Sequence, residues 1–138
     1  MNVPPGQGEI NGAPLGKSAD ISVLLVEDHE PTRAVLTRLL VRRNYRVKAA
    51  GSATEARSLA ASESFQLLIS DVGLPDGNGF ELMREFGTRY NMRGIALTGY
   101  GTENDLEKSQ AAGFAVHLIK PVHIQALEAA LAKVLTAS

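Results

Sequence analysis

The chain has 138 residues, a formal net charge of −1 and no cysteine. That length suits one domain with one hydrophobic core. The near-neutral charge provides no electrostatic attraction for nucleic acid or an anionic membrane surface. Without cysteine the chain can form neither disulfides nor thiolate metal sites. No apolar run approaches the roughly 20 residues of a membrane helix, and the N-terminus lacks the apolar core of a signal peptide. We therefore expect a cytoplasmic protein, or a cytoplasmic piece of a larger one, with no nucleic-acid partner and no direct membrane contact.

The first part of the chain differs in composition from the rest. Residues 1–19 are rich in glycine, proline and small polar residues, without an apolar period. Such a segment buries too little apolar surface to offset the entropy lost when it becomes ordered. The sequence predicts a flexible N-terminal tail or linker over 1–19 and one domain over 20–138.

From residue 20 onward, apolar runs of strand length alternate with segments of helical period. ISVLLVED, over residues 21–28, is a near-continuous apolar run, which is typical of a parallel strand buried on both faces. The segment over 29–44 carries Pro31, which suits the first turn of a helix. Its apolar residues lie four apart and predict one buried face, formed by Val35 with Leu39 and Leu36 with Leu40.

The same alternation continues to the end of the chain. RVKAA, QLLIS, RGIALT and AVHLI predict four further strands. Ser52 and Glu55 have the spacing of a capping box that opens a second helix, and Gly113 caps a polar fourth helix over 102–112. The loop VGLPDGNG is full of turn residues, and a last helix follows Pro121.

Five strand–helix units in this order predict an α/β fold: a single doubly wound (βα)5 flavodoxin-like domain with a parallel sheet of order 2-1-3-4-5. In such folds ligands bind beyond the carboxyl ends of the strands, at the switch point between strands 1 and 3.

Polar residues stand where the predicted strands end. Strand 1 ends in Glu27 and Asp28, strand 3 in Asp71, strand 4 in Thr98 and strand 5 in Lys120. Because the carboxyl ends of parallel strands meet at one edge of a sheet, we expect these side chains to converge.

The converging groups have a coherent chemistry. Clustered carboxylates repel one another and need a cation or a proton, and a set of oxygen ligands suits a hard cation such as magnesium, Mg²⁺. Asp71 can then act as a nucleophile toward a phosphoryl group, while Lys120 pairs with the phosphoryl oxygens and Thr98 donates a hydrogen bond to one of them. Phosphoryl transfer needs positioning and charge neutralisation, and this set supplies both.

Four motifs, LLVEDHEPTR, LISDVGLPDGNG, IALTGYG and HLIKP, follow one another in the order found in a known family. With them the sequence, from about residue 21 to 135, resembles the receiver domain of two-component response regulators. The resemblance implies that Asp71 is the phosphoacceptor and that its phosphoryl donor is a histidine kinase or a histidine phosphotransfer domain. It also implies that Asp28 and Asp71 ligate Mg²⁺ directly, that Glu27 acts largely through water, and that the backbone carbonyl of Gly73 is a third protein ligand.

The resemblance further matches Thr98 to the family's switch hydroxyl and Lys120 to its lysine, and implies a cis peptide bond between Lys120 and Pro121. One position departs, because many receivers have Tyr or Phe three residues before the lysine, where this chain has His117. Two interpretations stay open: His117 is a half-exposed strand residue without a switch role, or its imidazole replaces the aromatic switch and adds pH sensitivity, since an unperturbed histidine titrates near ~6.5.

Three other classes compete with this interpretation. An aspartyl-phosphate phosphatase needs a second acid two residues after the nucleophile, where Gly73 stands, and a flavin-binding protein needs a first loop rich in Ser, Thr and Gly, where this chain has EDHEP. A non-phosphorylated pseudo-receiver that acts as a protein-binding module is disfavoured by the complete set of polar strand ends and stays as the alternative.

We expect the chain to be either a stand-alone receiver or the end of a larger protein. The linker-like start and the phrases SDVGLPDGNG, ALTGYG and AGFAVHLIKPV resemble receivers at the C-terminus of hybrid histidine kinases. The parent would then be a protein-histidine kinase, and this segment a domain that catalyses its own phosphorylation. We expect it to pass the signal to an unknown downstream protein through the face formed by the fourth helix, fifth strand and fifth helix.

Overall fold

The computed structural model describes residues 20–99 and 101–136. Within these ranges the chain forms the following elements in order: β1 (Ser22–Val26), α1 (Glu30–Arg42), β2 (Arg46–Ala50), α2 (Ala53–Ser62), β3 (Leu67–Asp71), α3 (Gly79–Tyr90), β4 (Arg93–Thr98), α4 (Glu103–Ala112), β5 (Val116–Ile119) and α5 (Ile124–Thr136). The tail predicted over 1–19 lies outside the described residues.

The strands form a parallel sheet of order β2-β1-β3-β4-β5, which confirms the predicted fold class and strand order. The register places Ile69 of β3 between Leu25 of β1 and Ile95 of β4. In the loop after β3, Gly73–Leu74 pairs antiparallel with Gly77–Asn78 and forms a short ribbon. The central strands read as apolar runs because helices cover both of their faces.

Each face of the sheet has its own apolar core. One core packs under α2, α3 and α4 and includes Leu24, Leu68, Leu82, Phe86 and Ala96. The other packs under α1 and α5 and includes Leu25, Ile69, Leu40, Leu97 and Leu131. Strand β3 is buried along its whole length, so its last residue stands at the floor of the crevice that the sheet edge forms.

The helix ends follow the capping chemistry of the sequence. Ser52 caps α2 by accepting a hydrogen bond from the Glu55 N–H at 3.1 Å, and α4 ends at Gly113 with a φ of 109°. One prediction for α1 is wrong, because Val35 is 50% exposed while Leu36 is buried. The helix turns its Leu36–Leu40 row toward the sheet, and this leaves Val35 on the side that faces solvent. Among the described residues, no helix has the length and apolar character needed to cross a membrane.

Candidate functional site

Three carboxylates meet at the carboxyl ends of β1 and β3. Glu27 and Asp28 follow β1, Asp71 is the last residue of β3, and one carboxylate oxygen of each lies within 4.8 Å of the others. Glu27 is fully buried and Asp71 nearly so, whereas Asp28 is exposed. The cluster is therefore walled by protein on the Glu27 side and open to solvent at Asp28.

A lysine that follows the edge strand β5 reaches into this cluster. Lys120 follows β5, and its Nζ lies 2.7 Å from Glu27 Oε1 and 2.8 Å from Asp71 Oδ2. Its backbone N–H donates to the Thr98 carbonyl at 2.7 Å, which joins the ends of β4 and β5. The peptide bond between Lys120 and Pro121 is cis, as expected from the resemblance.

The two buried carboxyl groups respond differently to this environment. Burial raises the pKa of Asp71 to about 6, with the Glu27 charge adding to the rise and the Lys120 hydrogen bond opposing it. Burial also acts to raise the pKa of Glu27, but the hydrogen bond to Lys120 and a 3.0 Å bond from the His29 N–H outweigh it, so that pKa is lowered. Burial acts to lower the pKa of Lys120, but the two carboxylates outweigh it and that pKa is raised. Asp71 is therefore the acid whose ionised form is least well compensated.

The donor set fits a hard divalent cation. The cluster offers carboxylate oxygens only, without histidine or cysteine, and Mg²⁺ prefers such ligands together with water. Exposed Asp28 leaves room for bound water. Gly73 lies on the exposed ribbon two residues after Asp71, and no described atom lies within 4 Å of the place where a Cβ at Gly73 would stand. The three carboxylates that the sequence predicts as metal ligands thus lie together, and the role of the Gly73 carbonyl as a ligand stays a prediction.

The two predicted switch residues lie on the neighbouring strands β4 and β5, of which β5 is an edge of the sheet. Thr98 ends β4 and is 4% exposed, and His117 is half-buried in β5 opposite Ala96. Both ring nitrogens of His117 are shielded from solvent and have no hydrogen-bond partner among the described residues. The structure thus makes His117 a half-buried strand residue whose polar atoms point inward, and its switch role stays a prediction.

One further residue of this region, Asp76, was not predicted from the sequence. Asp76, in the loop after β3, accepts hydrogen bonds from the backbone N–H groups of Ala53 at 2.7 Å and Thr54 at 2.9 Å, and from the Thr54 hydroxyl at 2.6 Å. The Thr54 hydroxyl and N–H, followed by the Ala53 N–H, lower the pKa of Asp76 to about 2. An aspartate directly before a glycine is typical of a turn. The local sequence therefore gives no sign that Asp76 contacts Ala53 and Thr54.

Comparison with known proteins then decides the family, because residues 23–132 match the model of the response regulator receiver domain. The chain belongs to that family. This receiver domain is 38% identical over 107 residues to an uncharacterized 14.6 kDa protein in the sodA1 3′ region of Leptolyngbya boryana, covering 75% of this chain and 82% of that protein. It is 30% identical over 121 residues to the sensor protein EvgS of Escherichia coli (strain K12), covering 87% of this chain but 10% of EvgS.

Solved structures agree with the fold of the receiver domain. The non-phosphorylated HemR receiver domain from Leptospira biflexa superposes with a TM-score of 0.78 at 29% identity, covering 86% of this chain and 97% of that one. The chain thus covers nearly all of that solved domain but a small part of relatives such as EvgS.

Proposed function

We propose that this receiver domain accepts a phosphoryl group on Asp71 from the phosphohistidine of a histidine kinase or a histidine phosphotransfer domain. A new P–O bond forms on a carboxylate oxygen of Asp71 as the P–N bond of the phosphohistidine breaks and the imidazole leaves. The observation that carries the proposal is the position of Lys120 Nζ, 2.8 Å from Asp71 Oδ2. The Lys120 ammonium group would then stabilise the negative charge that builds up on the phosphoryl oxygens during transfer.

The acidic cluster would hold Mg²⁺ in this proposal. Asp28, Asp71 and the backbone carbonyl of Gly73 would be direct ligands, and Glu27 would act largely through water. When bound, the ion supplies positive charge beside the phosphoryl oxygens. Lys120 pairs with the same oxygens, and the Thr98 hydroxyl donates a hydrogen bond to one of them.

An apolar groove beside the site suits the phosphoryl donor. It runs between the start of α1 and the segment after β5, and its lining includes Pro31, Val35, Lys120, Pro121 and Val122. Val35 is half exposed there, and Lys120 lines the groove while its Nζ contacts Asp71. A helix that carries the phosphohistidine can bury apolar residues in this groove and present its imidazole to Asp71.

The output of the domain is also part of the proposal. Phosphorylation draws Thr98 toward Asp71 and changes the face formed by α4, β5 and α5, with His117 below that face as the second switch residue. Helix α4 supports such a change, since Ser109 and Ala112 are its only buried residues among those described. The recipient of the signal is a downstream protein.

We further propose that residues 20–138 are a cytoplasmic domain, preceded by a linker, at the C-terminus of a hybrid histidine kinase. The match to part of a sensor protein supports this origin.

The experiment is intact mass spectrometry after incubation with a small-molecule phosphodonor, with and without Mg²⁺. Wild type and Asp20→Asn, an exposed aspartate away from the site, are expected to gain one phosphoryl group only when Mg²⁺ is present. Asp71→Asn is expected to gain none. A folded wild type that gains no adduct would favour the alternative, a non-phosphorylated pseudo-receiver that acts as a protein-binding module.

A further inference from the structure

The loop between β3 and α3 carries the Gly73 carbonyl and turns back sharply on itself. At its base the Gly79 N–H donates to the Val72 carbonyl at 2.8 Å. Within it, Gly73–Leu74 pairs with Gly77–Asn78. These contacts join the two arms of the loop to each other, but they do not hold the loop against the rest of the domain.

Asp76, at the tip of the loop, makes that second connection. Its carboxylate accepts the Ala53 and Thr54 N–H groups and the Thr54 hydroxyl, from residues 23 and 22 positions earlier in the chain. Helix α2 already has its own cap, because Ser52 accepts the N–H of Glu55. The N-terminus of α2 is therefore capped twice, once from within its own sequence and once from the loop. A carboxylate at this end also interacts favourably with the helix dipole.

The start of α2 is in turn joined to the other part of the acidic cluster. The Glu27 N–H donates to the Ala50 carbonyl at 3.0 Å, and the Gly51 N–H donates to Glu55 Oε1 at 2.8 Å. The segment that enters α2 therefore contacts both Glu27 and, through Asp76, the loop that follows Asp71. The loop also packs closely here, because a Cβ at Gly77 would stand 3.4 Å from the Ala53 Cβ.

We propose that Asp76 is a positioning residue for the metal site: it holds the Gly73 carbonyl in place by fixing the loop against α2. The inference rests on the proposed function, in which that carbonyl is a ligand of Mg²⁺. Mg²⁺ demands near-ideal octahedral geometry, so a ligand that must first be ordered binds it less well. Supporting residues of this kind change metal affinity by about tenfold or more when they are removed.

The test compares Asp76→Ala with Ser52→Ala, because both remove a cap from the same end of α2 and only the first releases the loop. Mg²⁺ is titrated into each chelator-treated protein by calorimetry, unfolding in urea is followed in parallel, and amide hydrogen exchange is measured without metal. Both variants are expected to unfold at lower urea concentration. Only Asp76→Ala is expected to raise the dissociation constant for Mg²⁺ about tenfold and to speed exchange in the ribbon, over Gly73–Leu74 and Gly77–Asn78. Asp76→Asn, which keeps one acceptor oxygen, should lie in between.

The outcomes separate this inference from the proposed function. If wild type and Asp76→Ala bind Mg²⁺ equally well, the inference about Asp76 is overturned and the proposed metal site stands. Equal weakening by Ser52→Ala also overturns it, since the effect would then come from the stability of α2. Wild type that binds no Mg²⁺ overturns the proposed metal site itself, and the inference with it.

Discussion

Lys120 donates a hydrogen bond to Asp71 at 2.8 Å although their strands are not neighbours in the sheet, because β4 lies between β3 and β5. The long lysine side chain crosses the end of β4 and also comes within 2.7 Å of Glu27 Oε1. One ammonium group is thus shared by two buried carboxylates. Burial, with the Glu27 charge adding to it, keeps the pKa of Asp71 raised to about 6 despite this direct cationic partner.

This raised pKa predicts how Asp71 affects stability in the metal-free protein. The folded state binds the proton on Asp71 more tightly than the unfolded state, whose aspartate pKa is about 3.9. The stabilisation is therefore fully present below about pH 4 and is lost as the pH rises through about 6. Asp71→Asn should unfold with a free energy higher than wild type by on the order of 2 kcal/mol at about pH 8, and the gain should shrink toward pH 5.

Urea unfolding in the presence of a chelator, repeated across this pH range, measures the effect. Glu107→Gln, which removes an exposed acid on α4, is the control for the change in net charge and should follow the wild-type pH profile. Parallel profiles for wild type and Asp71→Asn would show that Asp71 titrates normally in the folded state.

Two glycines beside the acidic cluster should tolerate alanine very differently. A Cβ at Gly79 would overlap the Asp71 carbonyl oxygen and stand 3.0 Å from Ser70 Oγ, whereas a Cβ at Gly73 would meet no described atom within 4 Å. Gly79→Ala should lower the free energy of unfolding by about 1–3 kcal/mol, because backbone must move. Gly73→Ala should stay within about 0.5 kcal/mol of wild type and keep its Mg²⁺ affinity, since the proposed ligand is a backbone carbonyl.

Urea unfolding and Mg²⁺ titration of the two variants test this contrast. Similar losses of stability in both would mean that the space around Gly73 is occupied in solution. A loss of Mg²⁺ affinity in a stable Gly73→Ala would mean that the added methyl group disturbs the metal site, against the open space expected around Gly73.

The hydroxyl of Ser109 should be dispensable for folding. It lies on the buried side of α4 with a relative exposure of 1%, and its Oγ has no hydrogen-bond partner among the described residues. Ser109→Ala removes an uncompensated polar group and improves helix propensity, so the free energy of unfolding should rise by about 0.5–1 kcal/mol.

The control for helix propensity is Ser62→Ala at the exposed end of α2, where the hydroxyl donates to the Leu59 carbonyl at 3.2 Å. Thermal or urea unfolding of both variants separates burial from propensity, and Ser62→Ala should change stability by less than Ser109→Ala. A destabilised Ser109→Ala would indicate that the hydroxyl finds a partner, such as a buried water.

The proposed switch predicts separate roles for the methyl and hydroxyl of Thr98. Thr98→Val keeps the shape of this buried residue but lacks the hydroxyl, and Thr98→Ser keeps the hydroxyl. Both should accept the phosphoryl group. In amide spectra recorded with phosphodonor and Mg²⁺, the shifts over residues 101–119 should be large for wild type and Thr98→Ser and much smaller for Thr98→Val.

Equal shifts in phosphorylated Thr98→Val and wild type would exclude the hydroxyl as the switch. No shifts in phosphorylated wild type would remove the proposed α4–β5–α5 response as a whole, while leaving Asp71 as the phosphoacceptor.

Much of the site could be predicted because it depends on local patterns. Apolar runs of strand length showed where each strand ends, and parallel strands bring those ends to one edge, so the convergence of Glu27, Asp28, Asp71 and Lys120 followed from spacing along the chain. The caps at Ser52 and Gly113 were equally visible, since capping depends on neighbouring residues.

Tertiary structure alone decided the contacts between separated segments. The sharing of Lys120 between Glu27 and Asp71, the bond from Asp76 to the start of α2, the exposure of Val35 and the inward-facing nitrogens of His117 all depend on how elements pack. The sequence by itself determined which residues end the strands and which helices carry caps, because those properties depend on spacing along the chain. Distances between side chains from different elements depend on helix rotation and sheet twist, which no local period specifies.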